Sequence, residues 1–161
     1  MPKEPPSLKA TRKALEDDLK KLDHEFRVEL PAEIDRARQL GDLSENAEYQ
    51  MALERQQFVK ARVAQLQQRL AALAQINISS IPRDKAAYGS RLLLLDVDKD
   101  EEMEIRLVTQ EEADIQGGKY SVQSPIGRAL LGSAEGDEVQ VETPGGKRVF
   151  EVVELQTLHD Q

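Results

Sequence analysis

A chain of 161 residues with 39% hydrophobic, 4% aromatic and 32% charged side chains and no Trp is thin material for one thick core, so a small globular domain with an extended helical part is expected. The absence of Cys excludes a disulfide framework or thiolate zinc site; no run approaches the roughly 18 apolar residues of a membrane span and the N-terminus lacks an apolar leader, which predicts a cytoplasmic protein with no membrane partner. The net charge of −8 sits in the second half, where residues 76–161 carry 9 Lys/Arg against 17 Asp/Glu while residues 1–75 carry 13 of each, a balance unsuited to gripping free DNA or RNA through its phosphates.

After a Pro-rich lead-in, Leu15, Leu19, Leu22 and Phe26 recur at spacings of four, three and four, the stripe of an amphipathic helix. Pro31 is expected to kink or locally break that helix, and Ile34, Ala37 and Leu40 continue the pattern to Gly41. A second series, Val59, Val63, Leu66, Leu70 and Leu73, again alternates four and three. Both are coiled-coil seams, and each needs a partner to leave water, so the chain is expected to fold back at Gly41 into an antiparallel hairpin over residues 1–77. Arms of roughly 30 residues at about 1.5 Å rise would reach on the order of 45 Å, a rod able to enter a narrow channel.

From Asn77 the texture changes. Ser79-Ser80-Ile81-Pro82 reads as a linker, and residues 78–161 as a small globular α+β domain. Within it, Arg91–Val97 and Glu102–Val108 read as paired strands around a turn at Asp98-Lys99-Asp100. Ser124–Leu131 fits a short helix opened by a cap residue and a proline. Gly136–Thr143 and Lys147–Leu155 alternate apolar residues as strands around Pro144-Gly145-Gly146.

The chain reversal carries Gly41-Asp42-Leu43-Ser44-Glu45-Asn46-Ala47-Glu48-Tyr49. On spacing alone, Gly41 suits the left-handed residue after a helix, and Asp42 with Glu45 three residues on suits a capping box. Capping leaves something over, because Asp42, Glu45 and Glu48 place three acids on one face, where like charges repel and a cation relieves them. Mg²⁺ takes one or two protein carboxylates and keeps its other positions for water or phosphate oxygens, so an ion held here would be shared with another molecule.

The nine-residue block at the reversal resembles the hairpin-tip motif of the Gre transcript-cleavage factors. A second block, Ser124-Pro125-Ile126-Gly127-Arg128-Ala129-Leu130-Leu131-Gly132 followed by Glu135-Gly136-Asp137 and Thr143-Pro144-Gly145-Gly146, resembles that family's C-terminal domain, so the likeness spans roughly residues 8–156. It implies an FKBP-like globular domain. It also implies a transcription elongation factor whose coiled coil enters the secondary channel of bacterial RNA polymerase and stimulates cleavage of the nascent RNA 3′ end in backtracked complexes. Such a factor is not itself an enzyme. Asp42 and Glu45 would hold a Mg²⁺ shared with the polymerase active centre, none being bound by the isolated protein, and Ser44 would support water or substrate.

By the same resemblance Arg36 and Arg38 correspond to a basic patch meeting extruded RNA. Leu53 departs from the pattern where relatives often carry a further base, with Arg55 nearby instead. A neutral arm favours the subtype that releases short fragments, and the free protein is expected to be a monomer. Ser124, Pro125 and Ile126 fall at the family position for docking on the polymerase rim. Three rival readings remain open on the residues: an inhibitory paralogue that blocks the channel without cleavage, a peptidyl-prolyl isomerase, and a coiled-coil adaptor without chemistry. The isomerase needs an aromatic-lined pocket that Tyr88, Tyr120 and Phe150 build poorly.

Overall fold

The computed structural model describes residues 4–42 and 46–161. It has an α+β architecture of two compact units, one of Lys9–Ile76 and one of Met1–Leu8 with Asn77–Gln161. Among the described residues no helix is long and apolar enough to cross a membrane.

The first unit is a helical hairpin. Helix α1 (Pro6–His24) runs through a π-helical turn, Glu25–Glu29, into α2 (Leu30–Arg38), and α3 (Ala47–Ala74) returns alongside. Proline 31, in the first turn of α2, has no N–H to give the carbonyl four residues behind it. The chain answers with a wider turn in which the Leu30 N–H donates to Glu25 O, five residues back. The interruption expected at Pro31 therefore precedes it, and the helical path continues.

Every seventh residue of α3, Ala52, Val59, Leu66 and Leu73, is buried. Val59 and Leu66 pack with Leu22 and Leu30 into one cluster, flanked by Leu15, Leu19, Phe26 and Val63. Toward the reversal Ile34 and Ala37 take over the buried face. Leu40 does not continue it: α2 ends at Arg38, and Leu40 is 65% exposed. Arg55 pairs with Glu25, and Arg62 lies 3.8 Å from Asp18, so ascending positions on α3 meet descending ones on the first arm, as an antiparallel register requires.

In the second unit, strands β1 (Arg91–Asp96), β2 (Glu101–Val108), β3 (Lys119–Ser121), β4 (Glu138–Thr143) and β5 (Gly146–Gln156) form one sheet in the order β3-β2-β1-β5-β4. All pairings are antiparallel except β2 with β3, and a bulge opposite Leu93/Leu94 interrupts the β1–β5 register. The inward residues Leu92, Leu94, Ile105, Leu107, Val141, Phe150 and Val152 make the core together with Leu130 of helix α4 (Pro125–Leu130). Helix α4 presses so closely on the chain before it that a Cβ on Gly127 would lie 2.1 Å from Ser121 O, which explains a glycine inside a helix.

The turn between β1 and β2 hangs on a buried acid. The Asp96 carboxylate accepts the Asp98 and Lys99 N–H groups at 3.1 and 3.2 Å and the Arg148 Nε at 3.1 Å. The Arg148 guanidinium also lies 5.0 Å from the Phe150 ring centroid. Its hydrogen bonds hold the Asp96 carboxyl below the usual carboxylate range.

Two outcomes follow. Leu66 is fully buried, so Leu66→Asp puts an unpaired charge into the seam and is expected to open the hairpin, with loss of helical circular dichroism and a lowered melting temperature; unchanged helicity would count against the packing described. For Asp96 the folded pKa lies below the unfolded one, so its stabilisation is complete above about pH 4 and disappears as pH falls through the folded value. Urea melts of the wild type and Asp96→Asn from pH 7 to 2.5 are expected to differ most near neutrality and to converge in acid. A gap independent of pH is the contrary result.

Candidate functional site

Backbone N–H groups close the described end of α2 at the reversal. The Gln39 and Leu40 N–H groups close the last turn of α2 on Arg36 O and Ala37 O, each at 3.2 Å. Gly41 then takes φ +117°, where a side chain is strained. Asp42 follows, exposed to solvent. Leu43, Ser44 and Glu45 lie outside the described residues, so the expected pairing of Asp42 with Glu45, and the support from Ser44, are not placed.

The cap of α3 is Asn46, which corrects the capping-box reading of Asp42 and Glu45. With φ −83° and ψ 100°, Asn46 stands just outside the helix and its side chain accepts the Tyr49 N–H. Its Oδ1 lies 3.1 Å from that nitrogen, while its Nδ2 donates to Ala37 O across the reversal at 2.6 Å. In the sequence Asn46 is one polar residue of the nine-residue block, with nothing to set it apart as the cap. Asp and Asn cap about equally well, and spacing alone does not fix a helix start to one residue.

The three arginines expected to meet RNA do not form one patch. Arg36 lines a groove with Glu33, Ala37, Glu48, Met51 and Ala52, whereas Arg38 lines another with Pro31, Ile34, Asp35, Leu53 and Gln56. Two residues apart on a helix means about 200° of rotation, which separates them. Arg55 is turned to the other arm, where its Nε and Nη2 donate to the two carboxylate oxygens of Glu25 at 2.6 and 2.9 Å. It also lies 5.2 Å from the Phe58 ring centroid. The ion pair lowers the Glu25 pKa and raises that of Arg55. Among the described residues no three or more His, Cys, Asp or Glu side chains gather as a metal site.

The structure does bring Ser124, Pro125 and Ile126 together with a cavity of about 250 Å³ between α4 and the β4–β5 hairpin, lined also by Met103, Tyr120, Val141 and Phe150. Ser124 caps α4, accepting the Gly127 N–H at 3.1 Å and donating to Ser121 O at 2.6 Å. Ile126 packs partly on the core. Ile115 joins the same cavity and is 69% exposed. Nothing in the sequence singles it out, since one isoleucine among Gln, Glu, Asp and Gly has no periodicity to read.

Comparison with known proteins gives the context of both places. Residues 8–76 match the family model for the N-terminal part of transcription elongation factors, and residues 81–157 that for the GreA/GreB C-terminal part. The Transcription elongation factor GreA of Pseudomonas aeruginosa is 42% identical over 156 residues, covering 96% of this chain and 98% of that protein. That of Hyphomonas neptunium is 42% identical over 142 residues, covering 88% and 90% respectively. The crystal structure of GreA factor homolog 1 from Thermus thermophilus aligns over 90% of this chain and 94% of its own, with 25% sequence identity and a TM-score of 0.41. With relatives this similar along nearly its whole length, the chain belongs to the GreA/GreB family of transcription elongation factors.

Proposed function

We propose that this chain is a transcript-cleavage factor: its helical arm enters the secondary channel of bacterial RNA polymerase and stimulates hydrolysis of the nascent RNA 3′ end in backtracked, arrested complexes. The observation that carries the reading is the division of labour at the reversal. Asn46 does the capping that starts α3, so the motif's Asp42 is not the residue that nucleates the helix. An exposed carboxylate at the end of a packed hairpin is a hard oxygen donor of the kind Mg²⁺ takes.

In this reading Asp42 and Glu45 hold a Mg²⁺ together with the polymerase, and Ser44 supports water or substrate. Held there, the ion would be one of the two of a two-metal hydrolysis, in which one favours the attacking hydroxide and the other the leaving oxygen. The chain contributes ligands and their placement, and the nuclease activity belongs to the polymerase. Arg36, Arg38 and Arg55 meet RNA in this reading, Arg36 and Arg38 from two grooves of α2 and Arg55 while it also pairs with Glu25. The globular unit, FKBP-like in this reading, docks on the channel rim through Ser124, Pro125 and Ile126, with Ile115 extending the apolar face. The protein acts in the cytoplasm and is a monomer when free.

The test of chemistry is the Asp42→Asn/Glu45→Gln pair, which keeps side-chain size and the Asn46 cap. Melting temperature and polymerase affinity are expected to stay at wild-type levels, while cleavage in a backtracked complex falls by roughly a hundredfold or more and recovers in part at high Mg²⁺. Undiminished cleavage rejects the ligand role, and a wild type that slows nucleotide addition without releasing fragments identifies an inhibitor of the channel. For docking, Ile115→Glu is expected to leave folding intact, because the side chain is exposed, and to raise the factor concentration giving half-maximal cleavage by about tenfold. An unshifted titration removes Ile115 from the interface.

A further inference from the structure

Asn46 performs two tasks that only an amide performs together. Its Oδ1 accepts the Tyr49 N–H at 3.1 Å, capping α3, and its Nδ2 donates to Ala37 O at 2.6 Å, nine residues back on the other helix. The orientation of the amide is forced, since the reverse placement would set an NH₂ against the Tyr49 N–H and an oxygen against a carbonyl oxygen. Asp could cap but has nothing to donate at neutral pH. Ser and Thr cap as well, yet their hydroxyl sits one bond closer to the backbone and has no second polar atom.

The acceptor is well chosen for stiffness. Ala37 is 3% exposed and belongs to the buried face of α2, and its carbonyl also receives the Leu40 N–H at 3.2 Å. The Asn46 bond is therefore anchored in the packed part of the hairpin, on one side in α2 and on the other in the first turn of α3. Asp42 lies between those two anchors in the chain, directly after Gly41 at φ +117°.

We propose that Asn46 is a positioning residue for transcript cleavage: by capping α3 and donating to Ala37 it ties the start of α3 to the end of α2, beside which Asp42 stands, and so holds Asp42 in place for the reaction. The inference rests on the cleavage reading above. It acts on rate and not on affinity, because the group it orients touches the reacting atoms while the docking face lies in the globular unit. Displacing a catalytic group by about 1 Å can cost on the order of a hundredfold in rate, and a loosened tip that still samples the right geometry is expected to lose less.

The experiment uses the full-length chain with backtracked RNA polymerase. Asn46→Ser and Asn46→Thr both retain a cap and the net charge but lose the donor to Ala37. Each is expected to keep wild-type helicity, melting temperature and half-saturating factor concentration, to cut the cleavage rate at saturating factor by roughly tenfold, and to raise the Mg²⁺ concentration for half-maximal cleavage. Asn46→Ala, which loses the cap too, is expected to add a drop in melting temperature. Wild-type cleavage by both capped variants would mean that Asn46 is a cap and nothing more. Asp42→Asn is run beside them: if it loses cleavage while the capped variants do not, only the positioning role falls, and if it too cleaves normally, the cleavage reading falls and takes this inference with it.

Discussion

The hairpin depends on a seam that repeats every seven residues. Ala52, Val59, Leu66 and Leu73 of α3 lie on one face and are buried, and Leu22 and Leu30 of the first arm leave water by packing on Val59 and Leu66. The polar contacts of the arm cannot replace that burial. Arg55–Glu25, Arg62–Asp18, Arg27–Asp23 and Lys13–Asp17 all involve partly or fully exposed groups, where water screens the attraction and little stability results. They fix register and keep the surface charged. The seam supplies the stability that lets a glycine and an exposed acid occupy its end.

The π-helical turn is a consequence of keeping that seam on one face through a proline. A proline within a continuous helix normally costs a hydrogen bond and introduces a kink. Widening one turn at Glu25–Glu29 shifts the helical phase, so that the buried series passes from Leu22 to Leu30, a gap of eight, before Ile34 and Ala37 resume steps of four and three. Glu25 at the start of that turn receives Arg55 from α3, which ties the wider turn to the straight helix. Both features would otherwise read as unrelated irregularities.

What the sequence makes legible is what periodicity encodes. The four-three alternations placed both arms, and the alternation of Val139, Val141, Phe150 and Val152 placed the last hairpin of the sheet, since burial on one face writes itself into spacing. Features decided by a single polar atom or by tertiary neighbours were not readable. Strand β3 has three residues and is set by its tertiary neighbours, the parallel edge of β2 and a bridge to Asp114. The ion pair of Arg55 with Glu25 joins residues thirty apart in sequence, which no local spacing encodes. At the tip, Asp42 and Asn46 offered equivalent capping chemistry, and only the position at which α3 begins separates them.

That separation bears on how an acidic tip can be compatible with a stable fold. A carboxylate that caps a helix is held by backbone N–H groups, and those bonds favour its charged form while they occupy its lone pairs. A metal ligand needs its lone pairs directed outward. Assigning the cap to a neutral amide resolves the conflict, because Asn46 satisfies the Tyr49 N–H and also binds α2 through Ala37, so the start of α3 does not require a charged group. An amide also adds no further negative charge beside Asp42 and Glu48, where another acid would raise the like-charge repulsion already present. The start of α3 is in this way secured by a residue whose hydrogen bonds cross between the helices.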